Sequence, residues 1–174
     1  LSFSRGGTRE NEACIPVRKT LAEIDYILRR LVRKEIGLHF ELYPNELYVR
    51  LSQGRFEQMV LNLVRNAQDA IEGPGSIEVK SALYRGGEAD PRGIGCGDWL
   101  ELSVRDTGSG IAGEKLAEIW KPFYTTKEPG RGTGLGLYSI QRTLLCAGGH
   151  SFVESEEGKG TVFTVYLPLR DCSE

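Results

Sequence analysis

Between Asp106 and Leu137 the chain commits itself to a shape that few folds accommodate. Two glycine-rich turns, Asp106-Thr107-Gly108-Ser109-Gly110-Ile111 and Gly130-Arg131-Gly132-Thr133-Gly134-Leu135-Gly136-Leu137, flank the segment Trp120-Lys121-Pro122-Phe123-Tyr124-Thr125-Thr126-Lys127. Glycine lacks a Cβ, so it accepts positive φ and lets a backbone approach a ligand closely. The second turn runs into a helical pattern, where unpaired N–H groups and the helix dipole favour phosphate. These turns support a nucleotide pocket, and the remaining chain has to supply its walls.

The walls are legible as periodicity. After Pro16, apolar residues at Val17, Leu21, Ile24, Leu28 and Leu31 recur in steps of four and three, one face of an amphipathic helix that Gly37 is expected to stop. Leu38 to Leu42 and Leu47 to Leu51 read as strands around Pro44-Asn45. A second helix is predicted over Arg55 to Glu72, burying Phe56, Met59, Val60, Leu63, Ala67, Ala70 and Ile71. A third is predicted over Gly134 to Ala147, with Gly148-Gly149 as its stop. Ile77 and Val79 mark a strand, Gly86 to Gly97 a surface hairpin connection, and Leu100, Leu102 and Val104 a half-buried strand feeding Asp106. Glu114 to Trp120 reads as a short helix halted by Pro122, while Phe152-Val153 and Val162 to Leu167 complete the sheet. Elements in this order make an α+β sandwich, a layer of helices on one side of a mixed sheet.

Composition narrows the partners. A net charge of −2 gives no sign of a nucleic-acid surface or a polybasic membrane anchor. No apolar run approaches the ~20 residues of a bilayer span, and signal-peptide architecture is absent. Cys14, Cys96, Cys146 and Cys172 are scattered without a CxxC pair. They read as reduced, mostly structural thiols of a cytosolic protein rather than a disulfide framework or zinc site. Residues 1–14 read as a linker, 15–170 as one catalytic unit and 171–174 as a tail. With Leu1 at its start and Met59 its single methionine, the chain reads as a piece of a longer polypeptide.

Candidate chemistry begins with Asn62 and Asn66, four residues apart and so on one helical face. They are either a plain surface amide pair or, beside the glycine turns, oxygen ligands for a Mg²⁺ shared with substrate phosphates. Asp106 is good turn chemistry, and a buried carboxylate there would also accept a hydrogen bond from the exocyclic amine of adenine. Guanine presents a carbonyl oxygen at that place and would leave the carboxylate unpaired. Gly132-Thr133-Gly134-Leu135-Gly136 offers successive N–H groups as a phosphate nest. Lys127 and Arg131 flank it, either reaching the γ-phosphate or solvated as ordinary loop cations. Phe123 and Tyr124 would anchor the base of a lid, with core packing as the competing role.

Two familiar fingerprints are rejected. Gly108-Ser109-Gly110-Ile111-Ala112-Gly113 matches GxGxxG and follows a strand. The dinucleotide motif also needs a helix opening on the pyrophosphate and a second parallel strand ending in an acid about 20 residues on; Trp120 to Lys127 is not such a strand, and an acidic Asp106 at the mouth would repel phosphate. The second turn lacks the Gly-Lys-Ser/Thr of a P-loop.

Taken in order, Asn62-Leu63-Val64-Arg65-Asn66-Ala67-Gln68-Asp69-Ala70, Asp106-Thr107-Gly108-Ser109-Gly110, Pro122-Phe123-Tyr124-Thr125-Thr126-Lys127 and Gly132-Thr133-Gly134-Leu135-Gly136-Leu137 resemble the N, G1, F and G2 boxes of bacterial sensor histidine kinases. Those boxes belong to the catalytic, ATP-binding domain, of the superfamily shared with gyrase, Hsp90 and MutL. The resemblance spans roughly Pro16 to Leu169, and its Phe-Tyr-Thr-Thr-Lys segment is similar to the nitrogen-regulator-like branch. It implies a Bergerat fold, a two-layer α/β sandwich with a mixed sheet of about five strands backed by three helices. It also implies ATP between the helices and a lid, with Mg²⁺ on Asn66 and Asn62. The nucleotide contacts implied are Asn66, Ala70, Asp106, Gly108, Gly110, Ile111, Phe123, Thr126, Gly132, Thr133, Gly134, Leu135, Gly136, Leu137 and Thr161, the last in a Gly160-Thr161 pair similar to the family's late Gly-Thr. Lys127 and Arg131 join the two asparagines as implied catalytic residues.

Hydrolytic members of that superfamily place a glutamate four residues before the Mg²⁺-binding asparagine, where this chain has Asn62. Glu57 lies nine residues before Asn66, on the opposite side of the helix. The resemblance therefore implies phosphoryl transfer to a supplied nucleophile. That nucleophile is expected to be a histidine on a separate dimerisation domain. His39 and His150 lack the family's following acid and read as structural, while Leu1-Ser2-Phe3-Ser4-Arg5 resembles the last turn of that missing domain. The expectation is a monomeric fragment of a homodimeric kinase, cytoplasmic or the cytosolic part of a membrane receptor. It would bind Mg-ATP without autophosphorylating alone, serve a response regulator, and touch neither nucleic acid nor membrane directly. An ATP hydrolase of the same fold and a non-catalytic nucleotide-sensing module stay as alternatives.

Overall fold

A computed structural model describes residues 13–125 and 132–170. Its order is β1 (Ala13–Pro16), α1 (Val17–Leu31), β2 (Ile36–Glu41), β3 (Tyr48–Leu51), α2 (Gln53–Ala70), β4 (Gly75–Gly86), β5 (Gly97–Asp106), a 3₁₀ turn (Gly113–Lys115), α3 (Gly136–Ala147), β6 (His150–Glu156) and β7 (Gly160–Pro168). The main sheet runs β2-β4-β5-β7-β6. Only β2 and β4 pair in parallel; every other neighbour in it is antiparallel. This is the α+β sandwich expected, with a mixed sheet of five strands and three helices.

Alternation explains which face the helices cover. Leu100, Leu102 and Val104 on β5 and Phe163, Val165 and Leu167 on β7 are buried in one cluster with Phe56, Met59, Val60 and Leu63 of α2. Leu102 has no exposed surface and lies opposite Val165. Leu102→Ala should cost about 2–5 kcal/mol, measured by urea denaturation, because the surrounding strands cannot collapse into the void.

Ends and edges differ from the periodicity in instructive ways. Helix α1 stops at Leu31, before Gly37, because the chain beyond it is held elsewhere. The Arg33 N–H donates to Gln68 Oε1 at 2.8 Å and its guanidinium to the carbonyl of Ile71. The N-terminus of α1 has no local side-chain cap; instead the Glu46 carboxylate accepts from the N–H groups of Arg18 (2.6 Å) and Lys19 (3.3 Å). Residues 13 and 14, read as linker, belong to β1, which pairs antiparallel with β3 in a small separate sheet. The segment expected as a helix over Glu114 to Trp120 is a 3₁₀ turn and a run of tight turns. So short a piece ahead of Pro122 cannot repay helix nucleation.

The β4–β5 connection is more than a surface link. Ile94 packs with Trp99 and Tyr166 on the side of the sheet away from the helices. Arg92 Nη1 donates to the Tyr166 hydroxyl, which donates to Glu101 Oε2 at 2.7 Å. Cys96 and Cys146 are free and exposed. Cys14, however, is disulfide-bonded, which overturns the reading of it as a reduced thiol. Separation along the sequence says nothing about proximity in the fold. No helix among the described residues is long and apolar enough to cross a membrane.

Candidate functional site

Helix α2, the end of β5, the start of α3 and the β6–β7 hairpin enclose a cavity of about 740 Å³. Asn62, Asn66 and Ala70 reach it from successive turns of α2, and Asp106 reaches it from the last position of β5.

Asp106 is 3% exposed. Its Oδ1 accepts from the Gly108 N–H at 2.7 Å and the Thr161 N–H at 3.3 Å. Burial pushes the carboxyl above its ordinary value, and those two N–H groups pull it part of the way back. Because both bonds fall on Oδ1, Oδ2 is left for a ligand. A base amine arriving there would find a charged acceptor in a poorly solvated place.

Chain crossings around this carboxylate are tight. Gly160 has φ +99° and a Cβ on it would stand 2.0 Å from the Asp106 carbonyl oxygen, so no other residue fits. The Gly158 N–H donates to the Ser109 carbonyl at 2.7 Å, tying the β6–β7 hairpin to the first glycine turn. Ser155 Oγ accepts from the Ile111 N–H at 2.8 Å and lies 2.8 Å from Thr161 Oγ1.

At the other end, α3 begins at Gly136 with no side-chain cap, so its first N–H groups have no intrahelical partner. Gly132, Thr133, Gly134, Gly136 and Leu137 line the cavity there. Gly134 has φ +64°, and a Cβ on it would meet the Phe123 backbone at 2.3 Å. The Phe123 N–H donates to the Gly134 carbonyl at 2.9 Å, pinning the two flanks together. A helix N-terminus and neighbouring turn amides opening on one cavity suit a phosphate chain.

The asparagines are not equivalent. Asn62 Oδ1 accepts from Gln58 Nε2 at 2.9 Å, and its amide nitrogen faces the Gly136 carbonyl at 3.5 Å. Among the described residues no hydrogen bond engages the Asn66 amide. No cluster of histidine, cysteine, aspartate or glutamate fit to hold a metal occurs among those residues. A hard cation would therefore rest on an amide oxygen and the phosphates themselves, and Asn66 fits that demand better than Asn62.

Of the residues singled out from sequence, Asn62, Asn66, Ala70, Asp106, Gly110, Ile111, Gly132, Thr133, Gly134, Gly136, Leu137 and Thr161 line this one cavity. Three do not line it. A Cβ on Gly108 would stand 2.5 Å from the Ala70 carbonyl oxygen, so its role is close packing on α2. Phe123 is 73% exposed with φ +64°, while its neighbour Tyr124 packs on the core and lines the cavity instead. Leu135 is 37% exposed and contributes backbone at the helix start. Thr126, Lys127 and Arg131 lie outside the described residues.

Sequence reasoning missed Arg65, Asp69, Glu72, Lys115 and Glu157, which also line the cavity. Asp69 was findable, since it follows Asn66 by three residues and must share its face. Glu157 gave no signal, because a charged hairpin tip is ordinary.

A family model described as histidine kinase-, DNA gyrase B-, and HSP90-like ATPase matches residues 52–171. Sensor kinase CckA of Brucella abortus is 37% identical over 171 residues, covering 97% of this chain and 18% of CckA. Sensor histidine kinase ZraS of Salmonella typhimurium is 38% identical over 136 residues, covering 78% of this chain and 26% of ZraS. The chain spans 13% to 27% of the length of such curated relatives. Among solved structures, the catalytic domain of histidine kinase ThkA superposes with a TM-score of 0.72 at 28% identity, over 90% of this chain and 94% of that one. Full-length ShkA in complex with AMPPNP shares the fold at a TM-score of 0.76 and 24% identity, over 97% of this chain and 34% of ShkA. From the cap of α2 to beyond β7 this chain is matched by one family, and it belongs to the histidine kinase-, DNA gyrase B- and HSP90-like ATPases, as an ATP-binding domain of the kind found in sensor histidine kinases.

Proposed function

We propose that this domain binds Mg-ATP and presents its γ-phosphate to a histidine on a dimerisation domain of its parent kinase, which then serves a response regulator. The observation that carries this reading is the convergence of Asp106, Asn66 and Gly134 on a single cavity, with an amide rather than a carboxylate at Asn62. Asp106 holds the base by its exocyclic amine, and the amides before and at the start of α3 hold the phosphate chain against the dipole. Asn66 is the residue that would hold Mg²⁺. When bound, Mg²⁺ would neutralise phosphate charge that Asp69, Glu72 and Glu157 would otherwise repel. Positioning and charge stabilisation are most of what phosphoryl transfer asks of a protein. In this reading the catalytic unit read as residues 15–170 is extended by β1 to Ala13, the residues before it are its linker, Lys127 and Arg131 act at the γ-phosphate, and the fragment is a cytoplasmic monomer.

The test mixes this chain with the histidine-bearing dimerisation domain of its parent and γ-labelled ATP. Label should reach the histidine only when both are present, and Asn66→Ala should slow transfer at least about tenfold, the scale of a lost metal ligand. Tight nucleotide binding with no transfer would sink the kinase reading. A hydrolase is the second reading, favoured by the Asp69 carboxylate on the cavity wall. Single-turnover hydrolysis that Asp69→Asn abolishes would select it.

A further inference from the structure

Three carbonyls in the closing turn and cap of α2 find their partners far away in sequence. The helix supplies no basic residue of its own there. Arg33, on the connection between α1 and β2, does so from outside. Its Nη2 donates to the carbonyl of Gln68 at 3.3 Å and to that of Ile71, and its main-chain N–H donates to Gln68 Oε1 at 2.8 Å. The third carbonyl, that of Ala70, accepts from the Ser109 N–H at 2.9 Å.

A helix leaves its last carbonyls without intrahelical partners, so its final turn frays unless something caps it. A guanidinium does this well, because it sets a positive charge against the negative end of the dipole and offers a planar fork of donors. What rests on that final turn is part of the site. Ala70 lines the cavity, and a Cβ on Gly108 would stand 2.5 Å from the carbonyl oxygen that receives the Ser109 N–H. The first glycine turn is therefore seated on the end of α2 with no slack. Asn66 lies one turn earlier, inside the hydrogen-bonded helix, and the phosphate end is built on the start of α3.

Resting on the ATP-site reading, we propose that Arg33 is a positioning residue for the base end of the cavity: by capping α2 from the α1–β2 connection, it keeps the seat on which the first glycine turn rests. Arg33 lies outside the cavity wall and its side chain is 41% exposed, so it acts through Ala70 and the turn, never on the nucleotide itself. The phosphate end does not depend on this clamp.

Calorimetric titration of ATP and of ribose 5-triphosphate, which lacks the base, separates the two ends when both are run in excess Mg²⁺. The ratio of the two affinities measures what the base contributes. Arg33→Ala should weaken ATP about tenfold, the lower end of what an outer partner of a site residue is worth, and ribose 5-triphosphate less than about twofold. Arg33→Lys keeps the charge but not the fork, and should narrow the ratio by a smaller factor. It carries the comparison alone should a melting curve show that the alanine variant fails to fold. Equal losses for both ligands would show a purely structural arginine and overturn the proposal. Wild-type protein that binds neither ligand removes the ATP-site reading itself, and this proposal with it. A wild-type preference for ATP that survives intact in the folded variants spares that reading and overturns this proposal alone.

Discussion

Asp106→Asn should lose ATP affinity by at least about 100-fold while the nucleotide-free protein stays folded. The wild-type carboxylate uses Oδ1 for the Gly108 and Thr161 N–H groups and keeps Oδ2 for the ligand. An asparagine has one carbonyl oxygen, and those two buried N–H groups claim it. Its NH₂ then faces the adenine amine, donor against donor, where a charged acceptor stood. Stability of the empty protein should change by less than about 1 kcal/mol, because the substitution also removes a charge that burial disfavours. Calorimetry for binding and a melting curve for folding check the two halves separately; equal affinity in both proteins would mean the base lies elsewhere.

The same carboxyl sets a pH dependence whose sign follows from its raised value. Between its ordinary value and the raised one, the native state holds a proton that the unfolded chain has lost. Asp106's own contribution to stability therefore falls as pH rises through that window. Nucleotide binding runs the other way, since the amine requires the ionised form. ATP affinity should decline on acidification before the ordinary aspartate range is reached, and Asp106→Asn should flatten that decline.

Gly160→Ala should cost about 3 kcal/mol or more and abolish binding together with stability. At φ +99° an L side chain is strained, and its Cβ would stand 2.0 Å from the Asp106 carbonyl oxygen, a backbone atom that cannot rotate away. Gly158 is the control. It too has positive φ, +78°, but a Cβ there meets nothing within 4 Å. Gly158→Ala should cost only about 1 kcal/mol, the backbone preference alone. Chemical denaturation of the pair separates clash from strain; similar losses in both would mean that the crossing at Gly160 is looser than drawn.

Legibility in the sequence followed the range of the interaction. Leu21, Ile24 and Leu28 announced α1 because a helix writes its buried face into nearby positions. The wall of the cavity was readable through Asn66, Asp106 and Gly134 because each is an odd residue for its local element. What stayed hidden depends on distant partners. Glu46 caps α1 through the Arg18 N–H, 28 residues before it, and nothing local marks it. Strand β1 is four residues long and exists only because β3 lies beside it. Ser155 sits in a strand where serine is unremarkable, and its meaning comes from Ile111 and Thr161. Phe123 belongs to a motif, yet which of two adjacent aromatics turns inward is settled by its positive φ and its bond to Gly134.

Closure of the base end by Gly160 and Thr161 also imposes an order in time. The ribosome releases Asn66 and Asp106 well before the final hairpin, so a growing chain halted short of β7 lacks the amide that orients the Asp106 carboxylate. The base end cannot close on a nucleotide until β7 is in place. A nucleotide acts on the finished domain as a brake on its unravelling, and does nothing to hurry its assembly.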